Sequence, residues 1–229
     1  MQISRNFLSG VVASSAILGL SSAARAQLPA FPAFSTTGSL AGNQSWGGLL
    51  GSYFTVTGPQ GLTIRDIGVF DSGADGIMGV GTTLQVAIFT QAGVQVTATE
   101  TFTQALPGSL GAGSYRFRAL PSDLLLPSGN YVIVAQGFNA SDMNYNHKSL
   151  GGSSPINTGE FAFQGNNIVW GGSYYDHPTT LQVPGILDDA APNLYGAGVF
   201  TVMIPEPGTF ALLGLGLAPI ALAIRRRRK

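Results

Sequence analysis

Between Gln27 and Ile204 no stretch keeps apolar residues at the i, i+3, i+4, i+7 spacing long enough to make an amphipathic helix. Short runs of alternating apolar and polar residues recur instead. "LLGSYFTVTG" spans Leu49 to Gly58 and "LTIRDIGVF" spans Leu62 to Phe70. "TTLQVAIFT" sets Leu84, Val86 and Ile88 on one face, and "GVQVTATETF" alternates Val94, Val96 and Ala98 with polar neighbours. "SYRFRAL" opposes Tyr115, Phe117 and Ala119 to Arg116 and Arg118. "NYVIVAQGF" is apolar in both phases, Tyr131, Ile133 and Ala135 on one side and Val132 and Val134 on the other, which predicts a strand buried on both faces. "EFAFQ", "NIVWGG", "TTLQVPG" and "AGVFTVMI" come later in the chain.

About ten short strands separated by Gly, Pro, Asn and Asp predict an all-β chain, folded as an antiparallel β-sandwich of jelly-roll-like kind. No repeat of fixed length is evident, which argues against a propeller or solenoid. Reverse turns are expected at Pro59-Gln60-Gly61 and at Pro127-Ser128-Gly129-Asn130.

The chain has no cysteine, so disulfides, thiolate nucleophiles and cysteine metal sites are excluded. Formal neutrality of the whole chain hides an asymmetry. Residues 27–204 hold four cations (Arg65, Arg116, Arg118 and Lys148) against ten acids, a formal charge of −6. An acidic domain argues against nucleic acid and anionic lipid as partners and is compatible with divalent cations.

The two ends have a different character. Arg5, the apolar run Phe7 to Leu20 and Ala24-Arg25-Ala26 come in the order of a secretory signal peptide, with cleavage after Ala26 by signal peptidase. At the other end, Pro205-Glu206-Pro207 precedes the apolar run Thr209 to Ile224 and then Arg225-Arg226-Arg227-Arg228-Lys229. The run is short against the roughly 17–25 residues of a spanning helix, and Gly208 with snorkelling Arg stems brings it to the edge of that range. Flanking cations stay on the cytoplasmic side, so the expectation is a single C-terminal transmembrane helix with everything before Pro205 outside. The two prolines hold Glu206 extended, good geometry for a protease substrate. The expected organisation is signal peptide 1–26, lead-in 27–38, sandwich ectodomain 39–204 and C-terminal segment 205–229.

These last 25 residues resemble a PEP-CTERM sorting signal. The resemblance implies recognition by exosortase, a membrane enzyme that processes near the motif, in Gram-negative bacteria that often make extracellular polysaccharide. It makes Pro205, Glu206 and Pro207 the recognition element and Arg225, Arg226, Arg227 and Arg228 with Lys229 the cytoplasmic stop. The strand pattern from Leu50 to Phe138 is also similar to the β-sandwich ectodomains, of no assigned activity, that precede such tails.

Chemistry-bearing motifs are sparse. His147 and His177 lie in aromatic, polar loops, but no G-x-S-x-G elbow, P-loop, dinucleotide glycine fingerprint or H-E-x-x-H accompanies them. Asp71-Ser72-Gly73-Ala74-Asp75-Gly76 puts two carboxylates, Asp71 and Asp75, in a Gly-bearing loop. Calcium takes such oxygens, and so does any tight strand connection. Trp170, Tyr174 and Tyr175, with His177, lie close in sequence and form a candidate carbohydrate platform, or else a core tryptophan with flanking surface tyrosines.

The reading these features support is an exported, non-enzymatic protein with no cofactor except possible calcium. It passes through an inner-membrane intermediate to the cell surface or extracellular matrix. Its partners are signal peptidase, exosortase and, on the outside, extracellular polysaccharide; nucleic acid is not among them. A carbohydrate- or calcium-binding module is the alternative, and a hydrolase stands behind both.

Overall fold

The computed structural model describes residues 30–32, 35–36, 39–111, 113–146, 156–157, 162–163, 166–189 and 195–203. Their strands are, in chain order, β1 (Ala30–Pro32), β2 (Ser35–Thr36), β3 (Leu49–Val56), β4 (Leu62–Phe70), β5 (Thr83–Thr90), β6 (Glu100–Thr103), β7 (Ser109–Leu110), β8 (Tyr115–Leu126), β9 (Gly129–Gln136), β10 (Tyr145–Asn146), β11 (Ile156–Asn157), β12 (Ala162–Phe163), β13 (Asn166–Asp176), β14 (Ile186–Asp189), β15 (Tyr195–Gly196) and β16 (Gly198–Met203). The one helical element among the described residues is a single 3-10 turn, Ser72–Ala74. A seven-stranded sheet runs β12-β13-β3-β9-β5-β6, with β14 also on β13, and faces a five-stranded sheet ordered β1-β16-β4-β8-β7. Two short pairs, β10 with β15 and β2 with β11, complete an antiparallel sandwich.

The strand that is apolar in both phases takes the middle of the larger sheet. On the inner face of β9, Tyr131, Ile133 and Ala135 join Leu50, Phe54 and Val56 of β3 and Leu84, Val86 and Ile88 of β5. Across the interface lie Ile64, Ile67 and Val69 of β4 and Val199, Phe200 and Val202 of β16. Each of the Val, Leu, Ile and Phe side chains among them, fully buried, contributes about 1.5–3 kcal/mol. Phe54 holds a junction of rings, 4.9 Å from Phe200, 5.4 Å from Trp170 and 5.6 Å from Tyr131 between centroids.

On the outer face of the same sheet Val132, Val134, Leu49, Ala87 and Phe89 form a second buried cluster, covered by Tyr53, Leu181 and Val183. Leu181 and Val183 belong to "TTLQVPG", expected as a strand. Residues 179–185 instead form an irregular strap laid across the sheet. Pro184 has no N–H for a ladder, and the strap is tied at its ends. Gln136 Nε2 donates to the Thr179 carbonyl at 3.1 Å, Tyr53 Oη to the Pro184 carbonyl at 3.4 Å, and the Gly185 N–H to Asp176 at 3.2 Å. Gly51 permits the close approach, since a Cβ there would lie 2.6 Å from Cγ of Pro184.

"GVQVTATETF" also departs from expectation, for only its end joins β6. Gly93, at φ +91°, closes a turn, and the hydroxyl of Thr97 accepts the Ile88 N–H at 2.8 Å where a strand would supply a carbonyl. A side chain has replaced the ladder acceptor, and regular pairing stops. The two expected turns are present. Gly61 donates to the Gly58 carbonyl at 3.2 Å with φ +71°, and Pro127 and Ser128 form a tight bend that carries the chain from β8 in the five-stranded sheet to β9 in the seven-stranded one.

Phe54→Ala is expected to cost about 3–5 kcal/mol in equilibrium denaturation, because the ring junction cannot collapse around the cavity. Val94→Ala, at an exposed position, is expected to stay within about 0.5 kcal/mol of the parent.

Candidate functional site: an aromatic cleft and an acidic brace

The candidate aromatic platform is divided by a β-bulge. Along the pairing of β13 with β3, Trp170 faces Phe54 and Ser173 faces Ser52, so Gly171 and Gly172 together oppose the single Tyr53. The extra residue reverses the alternation. Trp170 therefore points into the core, 5.4 Å from Phe54 and 6.0 Å from Phe200. Tyr175 lies on that same face, whereas Tyr174 turns outward and packs against Tyr53, ring centroids 4.2 Å apart and tilted by 45°. Trp170, Tyr174 and Tyr175 form no common surface.

Tyr175 belongs to a different group, which sequence order concealed. Its ring meets Trp46 edge-on at 5.5 Å, and Trp46 lies 5.1 Å from the imidazole of His177. These rings, with Gln44, Leu50, Asn146, Asp188 and Tyr195, line a cleft of about 300 Å³. Five separate segments converge there: the stretch leading into β3, β10, the end of β13, β14 and β15. An amide network holds one wall. Gln44 Oε1 accepts from Asn144 Nδ2 at 3.0 Å and from Asn146 Nδ2 at 3.3 Å. Asn43 binds the Asn146 backbone through both ends of its side chain, at 2.7 and 2.9 Å. Burial, a hydrogen bond to Asp188 and the Asp188 charge together raise the pKa of the Tyr195 hydroxyl, which keeps that phenol protonated. Sequence reading named Tyr175 and His177 but missed Trp46. The only signal was a tryptophan in a Gly- and Asn-rich lead to a strand.

The acidic loop is braced from within. Asp71 is fully buried; its carboxylate accepts the Gly76 N–H at 3.1 Å and pairs with Arg116 Nε at 2.6 Å. Asp142, 1% exposed, accepts the N–H groups of Ser72 at 3.1 Å and Met78 at 3.2 Å. Asp75 is exposed. Among the described residues no group of three or more His, Cys, Asp or Glu is arranged to hold a metal ion. Asp71, considered as a calcium ligand, thus already has a guanidinium partner. Asp142 carries no sequence signal, since the groups it binds are 64 and 70 residues away. Burial pushes its pKa up to about 6, aided by the charges of Asp71 and Asp75 and opposed by the two N–H donors.

His147 and the sorting residues Pro205, Glu206, Pro207 and Arg225 to Lys229 lie outside the described residues. Among the described residues no helix is long and apolar enough to cross a membrane. The described residues define a β-sandwich domain. Residues 204–229 match the family model described as the PEP-CTERM protein-sorting motif. The chain is thus an exported protein carrying a C-terminal sorting signal, as its three-part tail indicated. Comparisons with curated proteins and with solved structures gave no significant match.

The brace generates two predictions. Asp71→Asn leaves Arg116, 15% exposed, without its charge partner, and is expected to lower stability by about 3 kcal/mol, equally with and without added calcium. Calcium-dependent destabilisation would assign Asp71 to a metal site. The folded state holds the Asp142 proton more tightly than the unfolded chain does. That contribution is complete below the ordinary carboxylate range and is lost as pH rises through about 6. Melting temperature is therefore expected to rise between pH 7 and pH 5, and Asp142→Asn to flatten that rise.

Proposed function

We propose that this protein is a non-enzymatic component of the bacterial cell surface or extracellular matrix, delivered by its C-terminal signal and acting through its β-sandwich. The observation that carries the reading is the match of residues 204–229 to the PEP-CTERM sorting motif, behind a folded, acidic ectodomain. The motif implies exosortase as the processing partner, and such a step supports the reading of a sandwich outside the inner membrane of a Gram-negative cell. The state of the reactive groups supports a structural rather than a catalytic role. Asp71 and Asp142 serve as internal braces, and His177 is an exposed ring packed against Trp46. A second reading, carbohydrate binding by the ectodomain, is favoured by the cleft in which Trp46, Tyr175 and His177 meet.

The deciding experiment is intact mass and terminal sequencing of the protein from each fraction of its host. The expected product starts at Gln27, ends near Pro205 to Pro207 and is found at the surface or in the medium. A product that keeps Arg225 to Lys229 in the inner membrane would make the tail a plain anchor.

A further inference from the structure

We infer that the cleft beneath Trp46 is a binding site for one uncharged pyranose ring, a neutral hexose or N-acetylhexosamine; this rests on the carbohydrate-binding reading and assigns it a place and a ligand class. The argument starts from which polar groups are already used. Gln44 Oε1 is consumed by two asparagine amides, which fixes the orientation of that side chain and leaves its NH₂ end as the free end. Among the described residues that nitrogen, the Tyr175 hydroxyl and the His177 imidazole have no hydrogen-bond partner, and none of the three is sealed from solvent. A donor, a hydroxyl able to give or accept, and an imidazole able to do either thus converge on one cavity beside aromatic rings. Aromatic walls with a few placed polar groups are what small-ligand sites consist of, and about 300 Å³ is the small end of their range.

Charge narrows the class. Among the described residues, Asp188 is the only carboxylate on the lining, and no Lys or Arg lies there. Phosphate, sulfate and uronate groups would therefore meet repulsion without a counter-charge. A sugar ring suits the remaining chemistry, because its C–H face can lie against indole or phenol while its hydroxyls both donate and accept. The site also carries an uncompensated cost: the Trp46 indole N–H is buried without an acceptor among the described residues. Such a group is ordinarily paired, and keeping it unpaired is a sign that Trp46 is placed for something other than stability.

The two tryptophans permit a direct test. In full-length Trp170→Phe protein, held in a detergent without a sugar headgroup, Trp46 is the sole indole reporter. Methyl glycosides of glucose, galactose, mannose and N-acetylglucosamine are titrated against its emission, with glucuronate as the charged comparison. The expected result is a saturable change with at least one neutral glycoside and a much weaker one with glucuronate. Tyr175→Ala and, separately, Gln44→Ala are each expected to weaken binding about tenfold, the equivalent of one lost polar or ring contact. Tyr174→Ala, on the opposite face of the sheet, is expected to change nothing. If Tyr175→Ala melts below the parent, Gln44→Ala decides. Retention on cross-linked dextran would assign the ring to a polymer, and binding in solution alone would assign it to a free sugar. Sugar binding untouched by Gln44→Ala and Tyr175→Ala would overturn the cleft assignment and leave the carbohydrate reading standing. No response to any neutral sugar, with no retention on dextran, would overturn both.

Discussion

Burial of β9 on both faces is the constraint on which the rest of the architecture depends. An ordinary sandwich strand hides one face in the core and shows the other to water. Here Val132 and Val134 on the outer face are as thoroughly buried as Ile133 and Ala135 on the inner one. The larger sheet therefore needs a second cover, and residues 179–185 supply it with Leu181, Val183 and Pro184. The strap in turn sets the sequence beneath it. Gly51 lacks a side chain where Pro184 approaches, and Gln136 and Tyr53 turn polar groups toward the strap's carbonyls.

The cleft arises where this layered arrangement ends. Beyond Leu49 and Asp176 the large sheet stops, and the chain continues as short, irregular segments held by side-chain amides rather than by long ladders. Asn43, Gln44, Asn144 and Asn146 supply hydrogen bonds that strands would otherwise provide. Rigidity without regular structure leaves space, and the bulge at Gly171-Gly172 turns Tyr175 into that space instead of toward solvent. A single extra residue in β13 thus decides that Tyr175, and not Tyr174, shares the inner face with Trp170.

Much of the sandwich was legible in the sequence because strand pairing is written in alternation. The two phases of β9 are found as read, and so is the face of β5 that carries Leu84, Val86 and Ile88, although Ala87 and Phe89 are buried on the other face of β5 as well. Reading failed where side chains replaced backbone partners or glycine changed the phase. Thr97 stands in for a ladder acceptor, Pro184 removes a donor, and Gly171-Gly172 shifts the register, and none of these alters the apolar pattern that predicts strands. The site was legible only in part for a related reason. Tyr175 and His177 are neighbours in sequence, but Trp46 reaches them from about 130 residues away through the pairing of β3 with β13. Asp142 reaches the acidic loop across 70 residues of chain. The sorting tail stands apart, since its information is linear: a Pro-Glu-Pro unit, an apolar run and a cation cluster in fixed order.

If β9 is held from both sides, it should be the last part of the domain to open. Amide hydrogen exchange resolved by residue tests this most directly. The account predicts that Val132 to Ala135 exchange only through global unfolding, at the slowest rate in the domain. Exchange of these amides through a local opening, while β4 and β8 remain protected, would mean that the strap does not seal the outer face, and would contradict it.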